Sequence, residues 1–390
     1  MSRIYIDINE MEPDGKLYRN HRFGTVESFI PNPFPSCHAA DLLELSNGDI
    51  LCCWFAGSEE GNADVSIVLS RLNAGSSQWS IPVTVTDDHS RSEQNPSLFL
   101  APSGEIWLIY TAQEARTPQT PPEVSLQYTA EIRCRKSTDN GYTFNPAQTL
   151  FSRPGSFCRQ KIQVLSNGRW IFGNWICFSD RSRNASDITV IQISDDCGKT
   201  WKSSEIPNSR GRVHANIVEL DAGKLIALLR SRSADHIFLS HSDDYGSTWS
   251  EPERTELRNN NASISAVRLQ SGAVCLVYND VSYNDGGFLG AVWPDQRCPV
   301  TAALSDDGAA TWPFRRVVEP GEGFVGPWND INNRRYEYPV VMQGGNGKIH
   351  VAYSWGTRKN IKYVCVDEAW IRGAKFCRGA EDRPELPCNR

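Results

Sequence analysis

One eight-residue pattern occurs four times along this chain and restricts its possible folds more than any other feature. The copies are Ser137 to Phe144 (STDNGYTF), Ser194 to Trp201 (SDDCGKTW), Ser242 to Trp249 (SDDYGSTW) and Ser305 to Trp312 (SDDGAATW). Each follows a strand-like apolar run, sets Asp and Gly where a tight turn needs side-chain-to-backbone bonding and positive φ, and ends on a large aromatic. Such a segment is a hairpin turn with its own apolar plug, and its recurrence predicts a repeat architecture.

A second repeat, strand–Gly turn–strand, occurs six times. It covers residues 37–57, 95–113, 159–176, 212–232, 262–280 and 336–355, with turn glycines Gly48, Gly104, Gly168, Gly223, Gly272 and Gly347. A third strand follows each of these hairpins, for example ADVSIVLSR or VTAALS; in four repeats it runs into the Asp-containing turn, with a short fourth strand beyond. Four antiparallel strands taken six times predict an all-β, six-bladed β-propeller, in which radial repetition leaves no long free sheet edge. The last hairpin has no Asp-containing turn, so an N-terminal strand near Thr25 to Ile30 is expected to complete its blade. The reading is one propeller domain over residues 1–390, with a short helix within 366–376 and a C-terminal tail over 372–390.

Composition agrees with many small sheets: twelve Trp, fifteen Phe and twelve Tyr against three Met. A net charge of -6 supplies no general basic field, so neither nucleic acid nor an anionic membrane is expected as a partner. The twelve Cys form no CxxC pair, and no His cluster has zinc-ligand spacing, so no metal or other cofactor is expected. Five of them (Cys52, Cys53, Cys177, Cys275 and Cys365) lie in apolar strand runs, where a thiol acts as a small hydrophobe. The N-terminus has neither a basic nor an apolar leader segment, so the expected location is cytoplasmic, or secreted if a signal peptide has been removed. Asn184-Ala185-Ser186 and Asn261-Ala262-Ser263 fit glycosylation sequons. No sequence signal speaks to oligomeric state.

Chain direction fixes a geometry. In each blade the first strand begins and the second ends on one face of the disc, while the Asp-containing turns fall on the other, where their expected role is structural. Aligning the hairpins on their glycines puts Ala39, Asn95, Arg159, His214, Ser263 and Tyr338 at one level near the central mouth, with Asp41, Ser97, Lys161, Asn216 and Ser265 two residues further in. This parity is polar while the other carries Leu and Ile, the alternation expected of a strand that lines a wet channel with one face. Arg230, Arg232, Glu59 and Glu60 end second strands at the same mouth. A pocket rich in Arg, with His, Tyr and carboxylates, suits a small acidic ligand.

These motifs resemble the sialidase superfamily, specifically its members with Asp-box (BNR) repeats, over about Ser36 to Trp370. VELDAGKLIALLR matches the family stretch that delivers an arginine, here Arg230, and Arg297 matches a second arginine shortly before the last Asp box. Tyr338 in YEYPVVMQGGNGKI matches the family's nucleophile, with Tyr336 beside it. The acid/base carboxylate is implied in the loop after the first hairpin, which holds Glu59, Glu60 and Asp64. Two positions differ. The family's Arg-Ile-Pro motif is replaced by Pro35-Ser36-Cys37-His38-Ala39-Ala40, and the glutamate five residues before Glu219 is replaced by His214.

The resemblance implies a sialidase-like exo-glycoside hydrolase acting on the terminal, acidic sugar of a glycan. Tyr338 would be the nucleophile, His214 its activator and Glu60 the acid/base; Arg230, Arg297, Arg159, Arg212, His38, Asn95 and Tyr336 would bind substrate. Two alternatives stay open: a lyase on uronic-acid glycans, with His214 or His38 as base, and a carbohydrate-binding propeller without turnover.

Overall fold

The computed structural model describes residues 11–21, 23–121, 124–179, 186–284, 286, 290–321 and 335–373. Six antiparallel sheets form the blades of a β-propeller. The first blade is Ser36–Glu44, Ile50–Gly57, Ser66–Leu72 and Val83–Thr84, from the innermost strand outward. The second is Arg91–Leu100, Ile106–Glu114, Glu131–Ser137 and Gln148–Phe151. In the third, Ser156–Phe157 and Gln163–Val164 share the innermost position, followed by Trp170–Ile176, Ile188–Ser194 and Lys202–Glu205. Arg212–Asp221, Lys224–Ser231, His236–Ser242 and Glu253–Arg258 make the fourth; Ser265–Arg268, Val274–Asn279, Val300–Ser305 and Phe314–Glu319 make the fifth. The sixth is Glu337–Gln343, Ile349–Trp355 and Asn360–Val366, continued by Thr25–Ile30 and Tyr18–Asn20 from the start of the chain. Among the described residues an α-helix spans Glu368–Ile371 and a single 3-10 turn Gln127–Thr129, and no helix there is long and apolar enough to cross a membrane.

Alternation along each strand sends one row of side chains into each inter-blade gap, so six apolar clusters fill the six gaps. The cluster between the sixth and first blades joins Ile30, Leu42, Trp54, Val340 and Tyr363 and closes the ring. A buried ionic latch reinforces closure. Lys362 reaches Glu27 of the N-terminal strand at 2.9 Å and Glu319 of the fifth blade at 2.8 Å, with all three side chains out of water.

The four Asp boxes are near-copies. In each, the Ser hydroxyl donates to the Asp at 2.7–2.9 Å, while the Thr amide and hydroxyl donate to the two oxygens of the same carboxylate at 2.8–2.9 and 2.6 Å. Two consecutive residues have positive φ, Tyr245 and Gly246 for example; in the last box Gly308 is followed by Ala309, which holds φ 76. A Cβ on Gly246 would lie 2.2 Å from Ile171, so these turns wedge against the preceding blade.

Two strand expectations need correcting. The third blade's inner strand is broken, because residues 158–162 leave the sheet and cross the central channel. Gln160 donates to Ile264 O of the fifth blade, and Lys161 bonds Asp41, Leu42 O and Leu98 O. The second inward level is also not a wet lining: Asp41, Ser97, Asn216 and Ser265 are buried and bond the backbone of the next blade at Leu98, Gln160, Ala266 and Val341. A polar side chain at the narrow end of a propeller meets neighbouring backbone before it meets water, and burial is tolerated because the bond is made.

Candidate functional site

The mouth is organised by backbone bulges. The inner strands of the first, second, fourth and sixth blades lose register at His38/Asp41, Gln94/Ser97, Val213/Asn216 and Glu337/Val340. At each bulge one residue adopts the left-handed conformation: Ala39 (φ 58), Asn95 (φ 49), His214 (φ 57) and Tyr338 (φ 53). Such backbone is strained for non-glycine residues and re-aims a side chain out of the pleat, and here two of the four carry His214 and Tyr338.

Tyr338 is half-buried at the centre. Its hydroxyl accepts a 2.6 Å hydrogen bond from Arg230 Nη1, and the guanidinium carbons of Arg230, Arg297 and Arg159 lie 5.2, 5.7 and 5.8 Å from its ring centroid. Burial pushes the phenol up, but Arg230 and Arg297 outweigh it and hold the Tyr338 hydroxyl below its ordinary 10.0; the charge of Glu60 opposes them. Burial likewise lowers Arg230 to about 10, against the pull of Tyr338.

Two imidazoles flank the ring. His38 lies 4.3 Å from it, with Nδ1 bonded to Ser354 Oγ at 2.8 Å and no partner on Nε2 among the described residues. His214 meets it edge-on at 5.7 Å and stacks at 4.0 Å on Trp175. Because His214 Nε2 accepts from Arg230 Nη1 at 3.2 Å, Nδ1 carries the proton and donates to Ser263 Oγ at 3.1 Å. Burial, followed by nearby guanidinium groups, holds both imidazoles well below 6.5, hence neutral.

Among the described residues the charges at the mouth fall into pairs with two left over. Arg297 meets Glu337 Oε1 at 2.6 Å, Glu337 Oε2 meets Arg358 at 2.6 Å, and Arg358 meets Glu60 at 2.6 Å, an alternating chain of four charges. Burial opposes ionisation of Glu337, but Arg358 and Arg297 keep it ionised. Arg232 pairs with Asp187 at 2.7 Å and Lys161 with Asp41 at 2.6 Å. Arg159 and Arg230 have no carboxylate at ion-pair distance among the described residues. Arg159 donates to the carbonyls of Ala40 and Tyr338, and Arg230 to Asn261, His214 and Tyr338. The buried Nε atoms of Arg159 and Arg297 have no hydrogen-bond partner among the described residues. Uncompensated buried cations with free N–H groups are costly alone and suit an incoming anion.

Of the residues expected at the site, Tyr338, His214, His38, Arg230, Arg297 and Arg159 converge, and Glu60 joins through Arg358. Asn95 stands at a bulge, buried, its carbonyl facing the Cys158 thiol. Arg212 points elsewhere, bonding Ser231, facing Asp235 at 3.6 Å and stacking on Phe238. Tyr336 is fully buried in the cluster between the fifth and sixth blades. Asn261 is fully buried and holds Arg230 Nε at 2.7 Å, so that sequon is structural; Asn184 lies outside the described residues. Sequence reasoning missed Glu337, Arg358 and Trp175. Applying to the sixth hairpin the rule that second strands end at the mouth would have found Arg358. No group of three His, Cys, Asp or Glu among the described residues could hold a metal.

A six-bladed propeller with an Arg-lined, tyrosine-centred mouth defines the class. Residues 48–351 match the model of the BNR repeat-like domain, and the chain belongs to that family. A sialidase of Bacteroides fragilis is 24% identical over 205 residues, 49% of this chain; the match spans 35% of that relative's length. Among solved structures, the Hadza microbial sialidase Hz136 superposes with a TM-score of 0.69 at 16% identity, covering 87% of this chain and 67% of that one. The intramolecular trans-sialidase of Ruminococcus gnavus, in complex with oseltamivir carboxylate, gives 0.66 at 13% identity, covering 88% and 97%. A protein of unknown function from Dyadobacter fermentans gives 0.66 at 18%, covering 90% and 97%. These likenesses are of fold.

Proposed function

We propose that this protein is a sialidase-type exo-glycoside hydrolase that releases a terminal acidic sugar from a glycan. The observation that carries the proposal is the Tyr338 hydroxyl held by Arg230 in a mouth where Arg159 and Arg230 have no carboxylate partner among the described residues. The sugar carboxylate would sit against Arg230, Arg159 and Arg297, supplying the missing anion. Tyr338 Oη, as the phenolate, would attack the anomeric carbon as the glycosidic C–O bond breaks, and the departing oxygen would take a solvent-derived proton relayed by Glu60; water would then displace the tyrosine from the anomeric carbon, giving its proton back through Glu60 and restoring the phenolate. No carboxylate touches the phenol among the described residues; stabilisation of the phenolate by Arg230 takes the place of a strong base. His214 acts on Tyr338 through Arg230, which it fixes from the other side. That relatives of this fold are named sialidases adds support.

The neutral imidazole of His38, 4.3 Å from Tyr338 with no partner on Nε2 among the described residues, favours a second reading, elimination on a uronic-acid glycan. One experiment separates the two. A panel of glycans and aryl glycosides ending in acidic sugars is incubated with wild type and Tyr338→Phe, and products are read by mass and ultraviolet absorbance. Saturated free sugar lost in Tyr338→Phe supports hydrolysis. A conjugated unsaturated product overturns it in favour of elimination, and binding without product reduces the protein to a lectin.

A further inference from the structure

The turn after the sixth blade's second strand is strained and aimed. Gly356, Thr357 and Arg358 have φ of 65, 57 and 66, so two non-glycine residues in succession sit in the left-handed region, at about 1 kcal/mol or more each. The surroundings enforce it: Cys37 N donates to Arg358 O at 2.8 Å, Lys359 N to Trp355 O at 3.1 Å, and Asn32 Nδ2 to Lys359 O at 2.9 Å. This backbone delivers the Arg358 guanidinium between a sixth-blade carboxylate and a first-blade loop. Nε meets Glu337 and Nη1 meets Glu60, both at 2.6 Å. Glu337 immediately precedes Tyr338, and Glu60 sits on the loop that Asp64 ties through Ser58 and that Gly61 anchors to Ser92.

We propose that Arg358 is a positioning residue that clamps the Glu60 loop onto the sixth blade and thereby sets the negative charge that Tyr338 experiences. The inference builds on the roles given above to Tyr338 and Glu60. Tyr338 is faced by His38 and Glu60 from the first blade, Arg159 from the third, His214 and Arg230 from the fourth. Arg232, from the end of the fourth blade's second strand, and Arg297, from the segment between the second and third strands of the fifth blade, complete the surround, their charges already shared with Asp187 and Glu337. Glu60 is the one carboxylate in this set, and Arg358 is its only ion-pair partner among the described residues. Removing Arg358 takes away a cation and leaves Glu60 uncompensated, and both changes disfavour the phenolate. The clamp therefore couples the Glu60 loop of the first blade to the Tyr338 strand of the sixth, two elements that no strand pairing joins.

The test needs no substrate. Phenolate absorbance is titrated in each variant and in the same variant carrying Tyr338→Phe, and the difference isolates Tyr338. Arg358→Met is expected to raise the Tyr338 midpoint by about one pH unit, Arg358→Lys to restore part of it, and Glu60→Gln to lower it. In the Glu60→Gln background the Arg358→Met shift should shrink, the non-additivity expected if one residue acts through the other. An unmoved midpoint in Arg358→Met, or a full shift persisting without Glu60, overturns the proposal, as does a lowered melting temperature with no shift. If Arg358→Met does not fold, Glu60→Gln and Arg358→Lys decide it, an unmoved midpoint in both being fatal. Wild type inert on every acidic glycan would count against the enzymatic reading and leave the titration result standing.

Discussion

Tyr338 and Arg230 are 108 residues apart and two blades removed, yet they share a 2.6 Å hydrogen bond at the centre of the mouth. Arg230 also holds His214, so one guanidinium orders both the phenol and the imidazole. Arg230→Met should raise the Tyr338 midpoint, since loss of a cation disfavours the phenolate. It should also weaken binding of an acidic monosaccharide by roughly 10- to 100-fold in calorimetry. Unchanged affinity would remove Arg230 from the anion site.

His350 lies on the sixth blade with Nδ1 2.6 Å from the Tyr363 hydroxyl, and burial lowers it from 6.5 to about 4. Its folded value lies below the unfolded one, so between those pH values the unfolded chain binds more protons. Stability is therefore full above about pH 6.5 and falls as pH drops toward 4, by up to ~3 kcal/mol from this residue. His38 and His214 act with the same sign. The melting temperature should fall less between pH 7 and 4 in His350→Gln than in wild type.

Ring closure rests partly on Lys362. Lys362→Met strands two buried carboxylates, Glu27 and Glu319, and should destabilise by about 3–5 kcal/mol in denaturant unfolding. Adding Glu27→Gln and Glu319→Gln should recover most of that loss. A single variant as stable as wild type would show that the apolar cluster between the sixth and first blades closes the ring unaided.

Asp244→Ala removes the acceptor for Ser242 and for both Thr248 donors on the face away from the mouth. A loss of about 1–2 kcal/mol is expected, with anion affinity at the mouth unchanged. A changed affinity would mean that the Asp-box face communicates with the site.

Local chemistry was legible throughout the chain. Asp-box turns, turn glycines and the two-residue alternation each depend on neighbours within about ten positions, so the sequence predicts the blade, the repeat number and the face on which Tyr338, His214 and Arg230 stand. Charge pairing was not legible, because ion pairs are chosen by distance in space. Glu337 is taken by Arg297 and Arg358, Arg232 is neutralised by Asp187, and Arg212 turns away onto Phe238, and none of these partners is near in sequence. Nor does composition reveal that residues 158–162 leave the third blade's sheet to cross the channel, or that two guanidinium groups have no counter-ion among the described residues. The sequence by itself determined the propeller and the residues offered to its mouth. Tertiary structure alone decided which of those charges remain free, because burial makes each pairing all-or-none and only the closed ring brings the partners within reach.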